Sequence, residues 1–531
     1  MTSRLRAPAA GPSRPWARVP ARWRLPLGVY LACQAVYLLW WLAFFPGLMS
    51  YDSITYVWEV TTDHWISDHS ILYDSLVWLS LQVSGGLWPL TLLQTVAASG
   101  ILAYTCVALR DLGVRGRWSA PAALAVAVLP STGTFIEFVW KDAAFTLSAL
   151  LAFAASARLV ARRMRGRQAV RDRWFHQQLA LLAAGFIGIA LFRNSSIVVV
   201  IAALPLLLLA LRGMRRWIIT LAALATALYL GLNYVVYPAV GIARPDVTSY
   251  YAFNYADIAV AYGTDPGSFT AADKAVMRQV APLSSWGGHA ANCWDVDWTM
   301  SVLDRTTAAR INSELQQVWW RVLRRTPQTV ASAHLCRAQI AWGIWPGPHA
   351  LQADTQIAHP FIQSDLFGQA APGGRMADSP YRPVLRFRPP SHLLHSAGVW
   401  LYQLSTTPQT QWLVWRGAFW SYASYLTVGL VAWRRRRAGV PLLGLAAIVF
   451  GLQVSILAAN PAALARYMLP AVMIGIMTLP LLDLLRRSRE RRTPGRRVGA
   501  RAYPGSEPEA ESEPGSEPTE PDDRVTVSRN P

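Results

Sequence analysis

Ten stretches of about 20 residues, almost wholly apolar, constrain this chain more than anything else in it: 26–45, 88–109, 118–137, 141–160, 177–193, 195–212, 217–237, 411–433, 439–458 and 464–485. A helix of roughly 20 residues spans the hydrocarbon core of a bilayer. The expectation is an all-α polytopic membrane protein with about ten transmembrane helices. The segment 70–84 is also apolar, but it is short and carries Asp74. It reads as an interfacial helix lying along the membrane on the outer face, not as a crossing.

The cations agree with this count. Formal net charge is +20, and lysine occurs only at Lys141 and Lys274. The arginines cluster between alternate spans, for example Arg162, Arg163, Arg165 and Arg167, or Arg434 to Arg437, whereas 46–87 holds no cation. Positive loops stay on the cytoplasmic side. Ten crossings with both termini cytoplasmic put every cluster inside, and the expected location is the cell membrane. Cations placed this way orient a membrane protein and give no reason to expect nucleic acid.

The expected organisation follows. Residues 1–25 form an Arg-rich cytoplasmic N-terminus, and the first helix is retained, since no small-residue cleavage site follows it. Residues 26–237 form a transmembrane module whose first outer loop is 46–87. Residues 238–410 form a mostly helical extracytoplasmic domain, 411–485 the C-terminal transmembrane helices, and 486–531 a basic then acidic tail. The tail's Pro, Glu and Ser content cannot build a core and predicts disorder. Cys33 and Cys106 lie in apolar spans as packing residues. Cys293 and Cys336 lie in the outer domain, where they could pair as a disulfide.

The loop 46–74 holds Asp52, Asp63, Asp68 and Asp74 with His64 and His69. Carboxylates beside a bilayer are costly unless they are paired or perform chemistry. The same parity gathers further polar residues on the outer face. Lys141 and Asp142 open the fourth helix, Arg193 and Asn194 occupy the turn between the fifth and sixth, and Asn460, Arg466 and Tyr467 lie at the start of the last. Plainer roles exist for each. Asp52 can cap a helix, Asp142 can pair with Lys141, Arg193 and Arg466 can snorkel to headgroups, and Asn194 suits a turn. The repeated Asp-His pair leaves a divalent metal open, with His64 and Asp68 as candidate ligands, but no cofactor is demanded. Asp295 and Asp297 read as loop structure.

These residues resemble the GT-C superfamily of integral-membrane glycosyltransferases, which use polyprenyl-phosphate-linked sugars. Asp52, Tyr56 and the run beginning at His69 match that superfamily's acidic first outer loop. Asp142 matches the acid that opens a later helix, Arg193 the basic residue that ends one, and Arg466-Tyr467-Met468-Leu469-Pro470 the Arg-Tyr-x-x-Pro start of the last. Ser53 stands where a second acid is usual. The resemblance covers about the first 235 residues and the last helices. It implies transfer of a sugar from a polyprenyl-phosphate donor to a hydroxyl of a cell-envelope glycan or protein acceptor on the extracytoplasmic face, at the surface of the membrane lipid. Asp52 would be the general base of an inverting displacement, with Asp142 assisting. Lys141, Arg193, Asn194, Arg466, Tyr467, Tyr56 and His69 would hold substrate. Other classes fit the same composition: a flippase or transporter of lipid-linked sugar, an acyltransferase using His64 or His69, or a non-catalytic membrane protein.

Overall fold

A computed structural model describes residues 19–167, 171–345, 366–386, 388–436 and 439–490. The extreme N-terminus and the acidic tail lie outside these residues. The described residues are helical, with isolated bridges and no strand among them. Those up to Arg487 belong to one compact unit.

Seven helices are long and apolar enough to cross a membrane: Ala21–Ala43, Trp88–Asp111, Lys141–Met164, Arg173–Phe192, Arg212–Ala239, Gly439–Ala458 and Leu469–Arg486. The first four are α1, α4, α7 and α8. Between them come α2 (Tyr51–Thr62), α3 (Ile71–Ser84), α5 (Gly116–Val128) and α6 (Pro130–Ile136). After α8 come α9 (Ile197–Ala210) and α10 (Arg215–Gly231), the latter continuing through a π-helical turn, Leu232–Val236.

The expectation of ten unbroken spans changes at three places. The segment 118–137 is a bent pair, α5 and α6, meeting at 68°, and as one span it would be an eighth. Proline disfavours helical geometry in the residue before it and donates no backbone bond. Leu129, before Pro130, is accordingly extended at φ −61°, ψ 125°. The expected 195–212 is found as the shorter apolar helix Asn194–Ala210. The expected 411–433 is a short helix, Pro408–Val414, and then Gly417–Arg434, whose Ser421, Ser424 and Thr427 dilute its apolar character. Short α3 starts at Ser70, whose hydroxyl accepts from the Tyr73 amide, and stops at Gly85 in the left-handed region, φ 66°.

The bundle packs around α7, most of whose residues are buried. A Cβ added at Gly185 of α8 would lie 2.8 Å from the Ala152 Cβ of α7. Small residues let two membrane helices approach this closely and gain packing where no hydrophobic effect drives association. α1 buries Val29, Cys33, Tyr37 and Trp40 and exposes Leu27, Leu31 and Leu39.

The expected domain 238–410 divides. Residues from Ala252 to Val330 build a second apolar core around Tyr255, Met277, Trp286 and Leu315. A buried Arg337–Asp257 ion pair and the Cys293–Cys336 disulfide, Cα–Cα 5.7 Å, brace it. Residues 366–405 instead join the main core through Leu366, Met376, Leu385 and Tyr402. Helix His392–Ser405 lies on the end of α1, where His395 Nδ1 is 2.8 Å from the Ala43 carbonyl.

Candidate functional site

Four separate segments bring charge to one place. Ser50 and Ser53 form a capping box that starts α2, and this puts Asp52 in its first turn. Trp140 is extended at φ −135°, ψ 136° and directs Lys141 and Asp142 into the start of α7. Arg193 ends α8 in extended geometry. Arg466 and Tyr467 sit in a single 3-10 turn before the last long helix.

Arg466 donates to Asp52 at 2.6 Å and stands 4.0 Å from Asp142, which is itself 3.9 Å from Arg193. The two longer contacts exceed a direct hydrogen bond. Asp142 Oδ1 and Arg466 Nε, both buried, have no hydrogen-bond partner. Hydrogen-bonding capacity is therefore left over for a ligand. Aromatic rings confine the guanidinium groups: Arg193 is 3.8 Å from the Tyr467 ring centre, and Arg466 is 5.0 Å from that of Trp140. The Trp140 indole is itself bonded to the Ser50 hydroxyl.

Lys141 differs from the arginines. It donates to His69 Nδ1 at 3.4 Å and lies 5.8 Å from the Tyr56 ring centre. Burial, and then the charge of Lys141, push His69 down to about 3, so the imidazole is a neutral acceptor. Lys141 has no carboxylate within 4 Å among the described residues. It makes no direct ion pair there, though its charge acts on Asp52 from further off. For Asp52, burial acts to raise the carboxyl, but Arg466 and Lys141 outweigh it and hold it below the usual carboxylate range.

A cavity of about 380 Å³ adjoins this cluster, within the size range of small-ligand sites. Lys141, Asp142, Arg193, Asn194, Arg466, Tyr467 and Asp68 line it. Asp52, Tyr56 and His69 stand behind that wall, reaching it through Arg466 and Lys141. Asn194 is employed structurally. Its amide donates to the Ser67 and Asp68 carbonyls at 2.7 and 3.1 Å and pins the first outer loop to the α8–α9 turn. Asn460 likewise donates to the Arg337 and Ala462 carbonyls, each at 2.6 Å.

The first Asp-His pair is employed by the turn it sits in. Asp63 ends α2 in the left-handed region and accepts from the Trp65 indole at 3.0 Å. His64 stacks on Trp58 and bonds to Thr62. Both are used by the turn, leaving Asp68 without its expected partner His64. No group of three His, Cys, Asp or Glu among the described residues is placed to hold a metal ion.

Several residues escaped the sequence reading. Tyr229, Asn233, Tyr234, Arg244 and Tyr250 form the other wall of the cavity. Arg244 also lacks a carboxylate within 4 Å among the described residues. Its one sequence signal was being the first cation after a long apolar run. Glu59 lies two turns beyond Asp52 on the same face of α2 and is only 2% exposed. Burial, only partly offset by Arg375, raises it to about 8.

Fold and site together define a helical protein compatible with multiple membrane passes, with acids and cations gathered beside a cavity. The chain belongs to a family of unknown function (DUF6020), whose profile matches residues 60–342. That match takes in Asp68, His69, Lys141, Asp142, Arg193 and Arg244 but stops short of Asp52 and Arg466. No curated protein matches the chain, and no solved structure does.

Proposed function

We propose that the protein is a membrane glycosyltransferase of GT-C type, moving a sugar from a polyprenyl-phosphate donor to an acceptor hydroxyl on the extracytoplasmic face. The observation that carries the reading is the convergence of Lys141, Asp142, Arg193 and Arg466 on one cavity, with Asp52 paired to Arg466 behind its wall. Its far wall is the end of α10, beside which Leu228, Leu230, Val235 and Val236 are exposed. A phosphate held by cations, with an apolar tail leaving along such a helix, fits this arrangement.

The donor phosphate takes Lys141 and the spare donors of Arg193 and Arg466, since guanidinium pairs with phosphate through two parallel bonds. Drawing Arg466 away from Asp52 lifts the carboxyl towards its ordinary range and makes it a competent base. The acceptor oxygen attacks the anomeric carbon, the bond from that carbon to the phosphate oxygen breaks, and the hydroxyl proton passes to Asp52. Charge grows on the departing phosphate, and Lys141 and Arg466 stabilise it there. One displacement without a covalent intermediate inverts the configuration.

The test is transfer from labelled polyprenyl-phosphate sugars by the full chain in proteoliposomes. Asp52→Asn should insert normally and lose transfer. Wild-type transfer retained by Asp52→Asn rules out the base assignment. A transporter of the same lipid is the second reading, favoured by Glu137, which is fully buried beside the membrane helices with neither carboxyl oxygen hydrogen-bonded. It predicts lipid movement between leaflets with no sugar transferred.

A further inference from the structure

A second cleft lies at the other end of the bundle. Lys141 and Arg158 are 17 residues apart on α7, so the two regions are separated by roughly 25 Å at 1.5 Å per residue. The cleft, of about 490 Å³, runs between α1 and α4. Its charged end is built from Arg22, Arg110 and Arg158. Arg158 is occupied, donating to Asp111 at 2.8 Å. Arg22 and Arg110 have no carboxylate within 4 Å among the described residues, and Arg110 is drawn to the start of α1 by the Arg22 carbonyl at 3.2 Å.

Away from the arginines the walls become apolar. α1 and α4 are antiparallel here, so Leu27 and Tyr30 from one helix lie opposite Gly100 and Val107 from the other. From Arg22 to Tyr30 is roughly 12 Å, and from Arg110 to Gly100 roughly 15 Å, along the helix axes. A Cβ added at Gly100 would meet nothing within 4 Å, so a side chain there has open space to enter. Trp23, 56% exposed, lines the cleft and adds an apolar edge to it.

We propose that this cleft binds an anionic phospholipid, the phosphate on Arg22 and Arg110 and one acyl chain along Leu27, Tyr30 and Gly100. Two guanidinium groups without a carboxylate partner among the described residues, set beside an apolar slot, are complementary to an amphiphile of that charge. Basic pockets between membrane helices at the cation-rich side are where such headgroups bind. The site is independent of glycosyl transfer and stands whether or not that reading does.

Native mass spectrometry of the full chain in neutral detergent, titrated with phosphatidylglycerol or phosphatidylcholine, tests it. Wild type should retain one phosphatidylglycerol in preference to phosphatidylcholine. Arg22→Gln with Arg110→Gln should weaken retention about 10- to 100-fold, as expected for lost charge-assisted bonds. Gly100→Phe, which fills the slot and keeps both arginines, should also weaken it, and millimolar inorganic phosphate should not displace the lipid. Retention unchanged in the double variant overturns the proposal. So does normal retention by Gly100→Phe with displacement by inorganic phosphate, which would mean a simple anion site.

Discussion

Lys141→Met separates ligand binding from folding at the candidate site. Methionine keeps the stem beside Tyr56 and removes the charge. No ion pair is lost, because no carboxylate stands within 4 Å of Lys141 among the described residues. Its contact with neutral His69 is long at 3.4 Å, so loss of stability should stay within about 1 kcal/mol. A bound phosphate, however, loses a charge-assisted bond of about 1.5–3 kcal/mol. Affinity for polyprenyl phosphate should therefore fall about 10- to 100-fold. Arg193→Met is the contrast. It strips a counter-ion from Asp142, whose side chain is 2% exposed, and breaking a buried pair costs about 3–5 kcal/mol. Titrating polyprenyl phosphate into nanodisc-embedded protein, with thermal unfolding in parallel, measures both quantities. Unchanged affinity in Lys141→Met, or destabilisation equal to that of Arg193→Met, would refute the assignment of Lys141 as the cation kept free for ligand.

Two further outcomes are expected. Glu59 is protonated in the folded state up to about pH 8, whereas an unfolded glutamate ionises near 4.5. The native state therefore binds the extra proton between those values, and stability should fall by about 1.4 kcal/mol per pH unit as pH rises through that window. Glu59→Gln should flatten this decline in thermal melts, and an unchanged slope would contradict the burial argument. Separately, Cys293 and Cys336 close a loop on the second core, next to strand-like contacts in which Val296 donates to the Pro461 carbonyl at 3.0 Å and Ala463 to that of Trp294 at 2.8 Å. Cys293→Ser with Cys336→Ser should cost about 2–5 kcal/mol and loosen the turn that carries Arg466, weakening polyprenyl-phosphate binding as well as lowering Tm. An unaltered Tm would show that the bond braces nothing.

The acids and cations of the site were legible because each lies where an apolar run starts or stops. Parity of the spans then put Asp52, Asp142, Arg193 and Arg466 on a common side. Side-chain employment was not legible. Asn194 was expected to hold substrate, but its amide is engaged by a backbone carbonyl contributed from over a hundred residues away, as is that of Asn460. Asp63 and His64 resemble half a metal site, yet a left-handed helix end and a tryptophan ring claim them. Pro130 was in plain view, but a composition count over 118–137 passes through it, and only backbone geometry shows the bend. Arg244 and Tyr234 reach the cavity because the chain turns back after α10, a tertiary fact with no local signature. The expected outer domain shares its apolar residues between two cores for a similar reason: the apolar face of His392–Ser405 has helical period, but its partner is α1, more than 300 residues earlier.

The central claim is that a polyprenyl phosphate is held by Lys141, Arg193 and Arg466. Photolabelling tests it most directly, using a polyprenyl phosphate with a diazirine close to the phosphate and mapping the modified peptides by mass spectrometry. The expected labels fall together on the starts of the helices at Lys141 and Leu469 and on the turn at Arg193, and excess unlabelled lipid suppresses them. Labels confined to other surfaces, such as the Arg22 and Arg110 cleft, with none at these three places, would contradict it.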